Sequence, residues 1–247
     1  GARPALVGFA SPEDAGACVA AILGAGIVPV AIEYMDRESI QITEDFAKAG
    51  YPLDAEAMLI IEVEGSDQEI DDQLGRIVAI AQPFNPISLK VSGSEAESAA
   101  IWKGRKSAFG ATGRISDYIC MDGTIPTGQL KHVLTRIGEI CASYGLRVAN
   151  VFHAGDGNLH PLILFDINKP GEMEKAEKAG EEILLLCVEV GGCLTGEHGV
   201  GIEKRDLMTK QYNRADLEQQ MRVRGIFDPH WLLNPAKVFP LEGRLAA

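Results

Sequence analysis

Apolar positions in this chain fall into short strand-like runs separated by stretches with helical spacing. Ala5-Leu6-Val7-Gly8-Phe9 reads as a strand. Ser11-Pro12-Glu13-Asp14 then opens a helix with a capping hydroxyl, a proline in the first turn and acids at the positive dipole end. Ile27 to Glu33 predicts a second strand and Asp36 to Ala47 a helix; Met58 to Glu64 is a strand, and Ser66-Asp67-Gln68-Glu69 caps the helix after it. Leu89-Lys90-Val91 is a short fourth strand, and Ser94 to Lys106 resumes helical spacing. The rhythm then repeats: strand over Asp117 to Ile125, helix over Thr127 to Tyr144, strands over Leu146 to Phe152 and Leu159 to Phe165, and an amphipathic helix over Gly171 to Val190. Two strand–helix–strand–strand–helix–strand halves predict an α+β fold, a largely antiparallel sheet with helices on one face in a duplicated ferredoxin-like arrangement.

The tail departs from this pattern. After Glu203 it holds a polar helix, Asp216 to Phe227, then the irregular stretch Asp228-Pro229-His230-Trp231-Leu232-Leu233-Asn234-Pro235, whose prolines and aromatics without periodicity suggest packing against something else. Neither a dinucleotide glycine fingerprint nor a phosphate-binding loop occurs, so no nucleotide fold is legible.

Composition narrows the function classes. The formal charge of −12 and the absence of a Lys/Arg stripe argue against nucleic acid and anionic membranes, and mean that an anionic substrate needs a local cation. No run approaches the roughly 18 apolar residues of a membrane span, and Gly1-Ala2-Arg3-Pro4 does not resemble a signal peptide. Five scattered cysteines without CxxC spacing fit reduced thiols in a cytosol-like compartment.

Two segments carry candidate chemistry. In His153-Ala154-Gly155-Asp156-Gly157-Asn158-Leu159-His160, Gly-Asp-Gly-Asn is turn chemistry between two apolar runs. A four-residue turn there sets His153 opposite His160, with Cβ atoms about 4.5–5.5 Å apart, close enough to share a cation; the plainer reading is a polar turn with each ring bonded locally. Gly191-Gly192-Cys193-Leu194-Thr195-Gly196-Glu197-His198-Gly199-Val200-Gly201 is dense in glycine, which implies close backbone approach. Glu197 offers a third ligand, giving a mixed N/O site suited to Zn²⁺ first, or to Mn²⁺ or Fe²⁺; its plainer reading is a surface carboxylate. Neighbours in an extended segment point to opposite sides, which leaves His198 as a base. Asp156 reads as a turn residue. Lys103, Arg105, Lys106 and Arg114 cluster in an otherwise acidic chain, and Arg105 is the best carboxylate clamp because of its planar fork; a solvated helix end is the competing reading.

Trp102-Lys103-Gly104-Arg105-Lys106-Ser107-Ala108-Phe109-Gly110, His153 to His160, Thr195-Gly196-Glu197-His198-Gly199 and Leu233-Asn234-Pro235-Ala236-Lys237-Val238-Phe239-Pro240 occur in this order in one family. The chain resembles the flavin subunit of glycolate oxidases and, more broadly, D-lactate and D-2-hydroxyglutarate dehydrogenases, flavoproteins of the vanillyl-alcohol-oxidase type. The resemblance implies a substrate-binding cap over residues 1–202 and a helical tail over 203–247 that returns to an FAD-binding domain of the parent chain. It implies FAD held mainly by that domain, His153, His160 and Glu197 as metal ligands with zinc the first choice, Arg105 on the substrate carboxylate, His198 as base, and Asn234 and Lys237 on the cofactor side. It implies oxidation of a small 2-hydroxy acid, and Leu162, where the 2-hydroxyglutarate branch places Asn, favours glycolate or lactate. The expected setting is cytoplasmic, or peripheral at the inner face of the membrane through an electron-transfer subunit. The isolated chain is expected to be inactive and prone to dimerise through an uncovered apolar face. Two other classes stay open: a metal-dependent hydrolase using the same two histidines and glutamate, and a non-catalytic acidic docking domain. One departure from the family stands in the tail, where Ala236 replaces the usual glycine.

Overall fold

A computed structural model describes residues 1–241. Seven strands form one antiparallel sheet in the order β4-β1-β3-β2-β6-β7-β5. They are β1 (Ala2–Phe9), β2 (Ala31–Asp36), β3 (Ala57–Glu64), β4 (Pro86–Val91), β5 (Asp117–Cys120), β6 (Arg147–His153) and β7 (Pro161–Phe165). The first half has the order 4-1-3-2, and the second runs 6-7-5 beside it, joined where β2 pairs with β6 over Glu33↔His153, Tyr34↔Phe152 and Met35↔Val151. Tyr34 and Phe152 stack at this seam with ring centroids 4.7 Å apart. The duplicated arrangement predicted from the rhythm is therefore present, with one difference: among the described residues the second half has no fourth strand. Its place is taken by the glycine-rich loop, where Thr124 and Cys193 exchange backbone hydrogen bonds and Gly196 N–H donates to the Asp122 carbonyl.

The helices are α1 (Pro12–Gly24), α2 (Arg37–Ala47), α3 (Asp67–Ala81), α4 (Glu95–Gly113), α5 (Leu130–Ser143), α6 (Glu172–Glu189), the single turn α7 (Met208–Gln211) and α8 (Arg214–Phe227). Their starts follow the capping signals: Ser11, Asp36 and Ser94 accept from the third helical N–H, and Ser66–Glu69 and Asn213–Asp216 form capping boxes. Helices α1, α3, α5 and α6 cover one sheet face, where Val7, Leu59, Ile61 and Ile163 meet Cys18, Ile77, Ile137 and Ile183. The expectation that helices lie on one face alone is corrected here. Ile40 and Ile42 of α2 and Ile101 and Ala108 of α4 pack on Met58, Ile60, Val151 and Leu162 of the opposite face. A strand buried on both faces reads as a continuous apolar run rather than an alternating one, and Met58-Leu59-Ile60-Ile61 is such a run.

Two strand boundaries differ from those predicted. β2 begins at Ala31 rather than Ile27, because Gly26 takes a left-handed φ of +75° and Pro29 cannot donate to a ladder. β5 stops at Cys120, and beyond it the pairing continues only as separate contacts, Met121 N–H to the Pro161 carbonyl and a bridge between Thr124 and Asn158. Among the described residues no helix is long and apolar enough to cross a membrane.

The described part of the tail is tied to the body at Leu207 to Leu217 and again at Ala236. Leu207, Met208 and Leu217 enter the core, and Arg205 Nη1 donates to the Ala236 carbonyl at 2.7 Å. Ile226, Phe227, Leu232 and Leu233 are exposed. Ala236 sits at φ +64°, a left-handed conformation that costs an L residue with a Cβ roughly 1–2 kcal/mol. Against that stands the larger unfolded-state entropy of glycine, about 0.4–1 kcal/mol. Ala236→Gly is therefore expected to stabilise the tail by up to about 1 kcal/mol. Slower hydrogen exchange over residues 232–241 with unchanged exchange in β3 would show it; faster exchange there would contradict it.

Candidate active site at the meeting of hairpin and glycine-rich loop

His153 ends β6, and a 3-10 turn over Ala154–Asp156 follows, closed by Gly157 at φ +67°. A Cβ on Gly157 would stand 2.1 Å from the Ile125 carbonyl oxygen, so glycine is required by space as well as by φ. The turn corrects the predicted register: His153 bridges to Asn158, not to His160. His160 lies two residues further along, so the imidazoles are diagonal neighbours on one face rather than a directly opposed pair. Their centroids are 5.2 Å apart.

His153 is directly opposite Glu33 across the β2–β6 seam. Its Nδ1 lies 2.8 Å from Glu33 Oε1, and Arg105 of α4 reaches Glu33 Oε2 through Nε at 2.9 Å and Nη2 at 2.7 Å. Burial alone would raise the Glu33 carboxyl, but the His153 hydrogen bond and the Arg105 charge outweigh it and hold it below the usual glutamate range. With Glu33 ionised, Nδ1 carries the proton and Nε2 turns toward the site, an orientation common in metal-binding histidines. The same hydrogen bond, working against burial, raises the His153 pKa.

His160 is 2% exposed, and its Nε2 has no hydrogen-bond partner among the described residues. Burial first, then the nearby imidazoles of His153 and His198, push its pKa below the ordinary value. The ring is thus held neutral, the form that binds a cation. Glu197 Oε1 lies 3.2 Å from His160 Nε2, 3.8 Å from His153 Nε2 and 3.5 Å from His198 Nε2. The His198 ring stacks on His160 with centroids 4.9 Å apart and planes 17° from parallel. Glu197 and His198 therefore converge, which corrects the argument from an extended segment. The loop is bent, and the N–H groups of Gly196, Glu197 and His198 point to Asp122.

Asp122 is fully buried and accepts from the Asn158 amide at 2.8 Å, the Thr195 hydroxyl at 2.7 Å and the N–H groups of Gly196, Glu197 and His198. Buried Lys204 stands 3.2 Å away. Burial would raise this carboxyl, yet these hydrogen bonds and the Lys204 charge hold it far below the ordinary aspartate value.

Among the described residues, ligand-capable atoms form two overlapping groups, His153–His160–Glu197 and Asp122–His160–His198, each with all atoms within 4.8 Å. The first fits a divalent cation better. It includes the unpartnered buried Nε2 of His160 and a carboxylate exposed enough to turn toward an ion, whereas the Asp122 oxygens are already engaged.

Of the four predicted cations only Arg105 is buried beside the site. Lys103 and Lys106 face solvent, and Arg114 lies over the Phe46 ring. Lys237 bonds Asn234 Oδ1 at 3.3 Å and, with His198, Cys120 and Lys204, lines a 280 Å³ cavity beside the loop. Asn234 itself is exposed, at φ +45°. Glu33, Asp122 and Lys204 were not anticipated. A signal existed for two of them, since Glu33 ends a predicted apolar strand and Asp122 interrupts another after Tyr118-Ile119-Cys120-Met121.

The model of the C-terminal domain of FAD linked oxidases matches residues 2–238. Glycolate oxidase subunit GlcD of Escherichia coli (strain K12) is 49% identical over 246 residues, covering 99% of this chain and 49% of that protein. The Bacillus subtilis (strain 168) subunit of the same name is 34% identical over 233 residues, covering 94% of this chain and 50% of that protein. Mitochondrial D-lactate dehydrogenase [cytochrome] of Kluyveromyces lactis is 27% identical, covering 96% of this chain and 42% of that protein. The chain thus spans about half the length of the curated relatives it matches. Among solved structures, 4-ethylphenol oxidase from Gulosibacter chungangensis shares the fold at TM-score 0.72 and 13% identity, over 99% of this chain and 55% of that one. p-Cresol methylhydroxylase does so at TM-score 0.70 and 12% identity, over 98% and 53%. With the sheet, the hairpin and the loop described above, these matches establish that the chain belongs to the family of C-terminal domains of FAD-linked oxidases.

Proposed function

We propose that this chain is the substrate- and metal-binding cap of a flavoenzyme that oxidises a small 2-hydroxy acid, glycolate or D-lactate, to the 2-oxo acid. The observation that carries the reading is the convergence of His153, His160, Glu197 and His198 on one point, in a chain whose similar proteins include glycolate oxidase subunits and a D-lactate dehydrogenase. When bound, FAD would supply the hydride acceptor, and a divalent metal on His153, His160 and Glu197, zinc first, would supply Lewis-acid polarisation of the substrate hydroxyl. Glu33 fixes the His153 ring so that Nε2 faces the site. Arg105 gives Nε and Nη2 to Glu33 and keeps Nη1 for a substrate carboxylate. His198 Nε2, half-exposed and beside the other three groups, takes the hydroxyl proton. Lys237 and Asn234 stand on the cofactor side, and the tail from residue 203 with its exposed Phe227 and Leu232 packs on the flavin domain of the parent chain. The parent enzyme then works in the cytoplasm or at the inner face of a membrane through an electron-transfer subunit.

In the full-length enzyme, His198→Ala is expected to lower kcat about 10²–10⁴-fold, the usual worth of a positioned general base, with flavin content unchanged. Steady-state turnover with glycolate and D-lactate checks this. Wild-type turnover in the variant would remove His198 from the role.

A further inference from the structure

Asp122 lies outside both sequence segments that carry the candidate ligands, yet its carboxylate touches each of them. One oxygen, Oδ1, takes the Asn158 amide at 2.8 Å, from the turn that separates His153 from His160. The other, Oδ2, takes the Thr195 hydroxyl at 2.7 Å, the His198 N–H at 2.9 Å, the Gly196 N–H at 3.1 Å and Lys204 Nζ at 3.2 Å. The Glu197 N–H stands 3.2 Å from both oxygens. A carboxylate offers about four lone-pair sites, and all are occupied here. The 3.5 Å separation of Oδ1 from His160 Nε2 therefore marks a neighbour, not a ligand. Packing is equally tight behind the loop, since a Cβ on Gly196 would stand 2.3 Å from Asn158 Nδ2.

We propose that Asp122, charge-balanced by buried Lys204, is the positioning residue that bends the Thr195–His198 segment onto the hairpin, so that Glu197 and His198 reach His160 together. The geometry favours this over a plain structural ion pair. The N–H groups of Glu197 and His198 point at one carboxylate, and that of Gly196 is shared between it and the Asp122 carbonyl; together they define the direction of the chain through Glu197 and His198, whereas an ion pair needs only Lys204. The loop also replaces the sheet's missing eighth strand, so a regular ladder does not set its course past Gly196; Asp122 does. The functional consequence rests on the proposed metal site, but the loop geometry does not.

The test compares the full chain with Asp122→Asn, using Ile77→Val in the distant core as a control for general destabilisation. Hydrogen–deuterium exchange over residues 194–199 without metal reads the loop, and competition with a chelator reads zinc affinity. Exchange in the loop is expected to rise at least about tenfold in Asp122→Asn but not in Ile77→Val. The zinc Kd is expected to rise about 10–100-fold, as for other residues that orient ligands. Unchanged loop exchange in Asp122→Asn overturns the proposal. So does unchanged zinc affinity in a variant whose parent binds zinc. If the unaltered chain binds no zinc, the metal reading fails, and the exchange comparison still decides the role of Asp122. Should Asp122→Asn not fold, Thr195→Val removes one donor and keeps the carboxylate. Loop exchange is then expected to rise several-fold, and wild-type exchange overturns the proposal equally.

Discussion

Glu33→Ala is expected to destabilise this chain by about 3–5 kcal/mol, the usual result of removing one partner from a buried ion pair. Glu33 is the acceptor that balances Arg105, which is only 8% exposed, so removing the carboxylate leaves a mostly buried guanidinium without its ion-pair partner. The same substitution strips His153 Nδ1 of its acceptor. For a domain of this size each kcal/mol moves Tm by about 2–4 °C, so a fall of roughly 6–20 °C is expected in thermal unfolding. The double variant Glu33→Ala/Arg105→Met discriminates the cause. If the cost arises from the stranded guanidinium, the double variant recovers most of the stability, because removing both charges leaves none buried alone. A double variant no more stable than the single one would mean that Arg105 is not the reason Glu33 matters. Substrate oxidation by the parent enzyme should stay lost in the double variant, since His153 remains unoriented and the carboxylate clamp is gone.

The second large effect concerns the ion. The chain is expected to take up about one equivalent of zinc per molecule, and His160→Ala to weaken it on the order of 100-fold or more, because even residues behind the ligands are worth about 10–100-fold. His160 is chosen because its Nε2 is buried without a hydrogen-bond partner among the described residues, so an ion is what would satisfy it. His198→Ala should keep the metal, because the ligand set is His153, His160 and Glu197. Metal analysis after gel filtration decides between the two overlapping groups: loss in His198→Ala with retention in Glu197→Ala would hand the site to Asp122, His160 and His198.

Much of this was legible in the residues, for identifiable reasons. Ser66-Asp67-Gln68-Glu69 announces a helix start because both halves of its capping box are local, and the structure forms it. His153, His160, Glu197 and His198 were nameable because glycine-rich turn chemistry brackets them. The register between the histidines was not, since it turns on whether the hairpin closes at Gly155 or Ala154. Local propensity does not decide that; the close approach of Gly157 to the Ile125 carbonyl does. The roles of Glu33 and Asp122 are not legible in the sequence because their partners are distant in it: Glu33 meets Arg105 and His153, 72 and 120 residues away, and Asp122 meets Asn158 and Thr195, 36 and 73 residues away. Hydrophobic periodicity finds the face a residue occupies but not what waits opposite. The same holds for the helices on the second sheet face, since helical spacing in α2 and α4 does not say which face they cover.

The loop that stands where an eighth strand would lie has a consequence for solubility. Open strand edges are templates for intermolecular pairing, and proteins cover or interrupt them. Here Cys193 and Gly196 occupy the ladder positions beside Thr124 and Asp122. The segment that presents Glu197 and His198 is thus also the guard of that margin. Variants that free the loop should pair chain with chain as well as lose the site, so aggregation on mild warming would track loss of metal affinity across a loop mutant series.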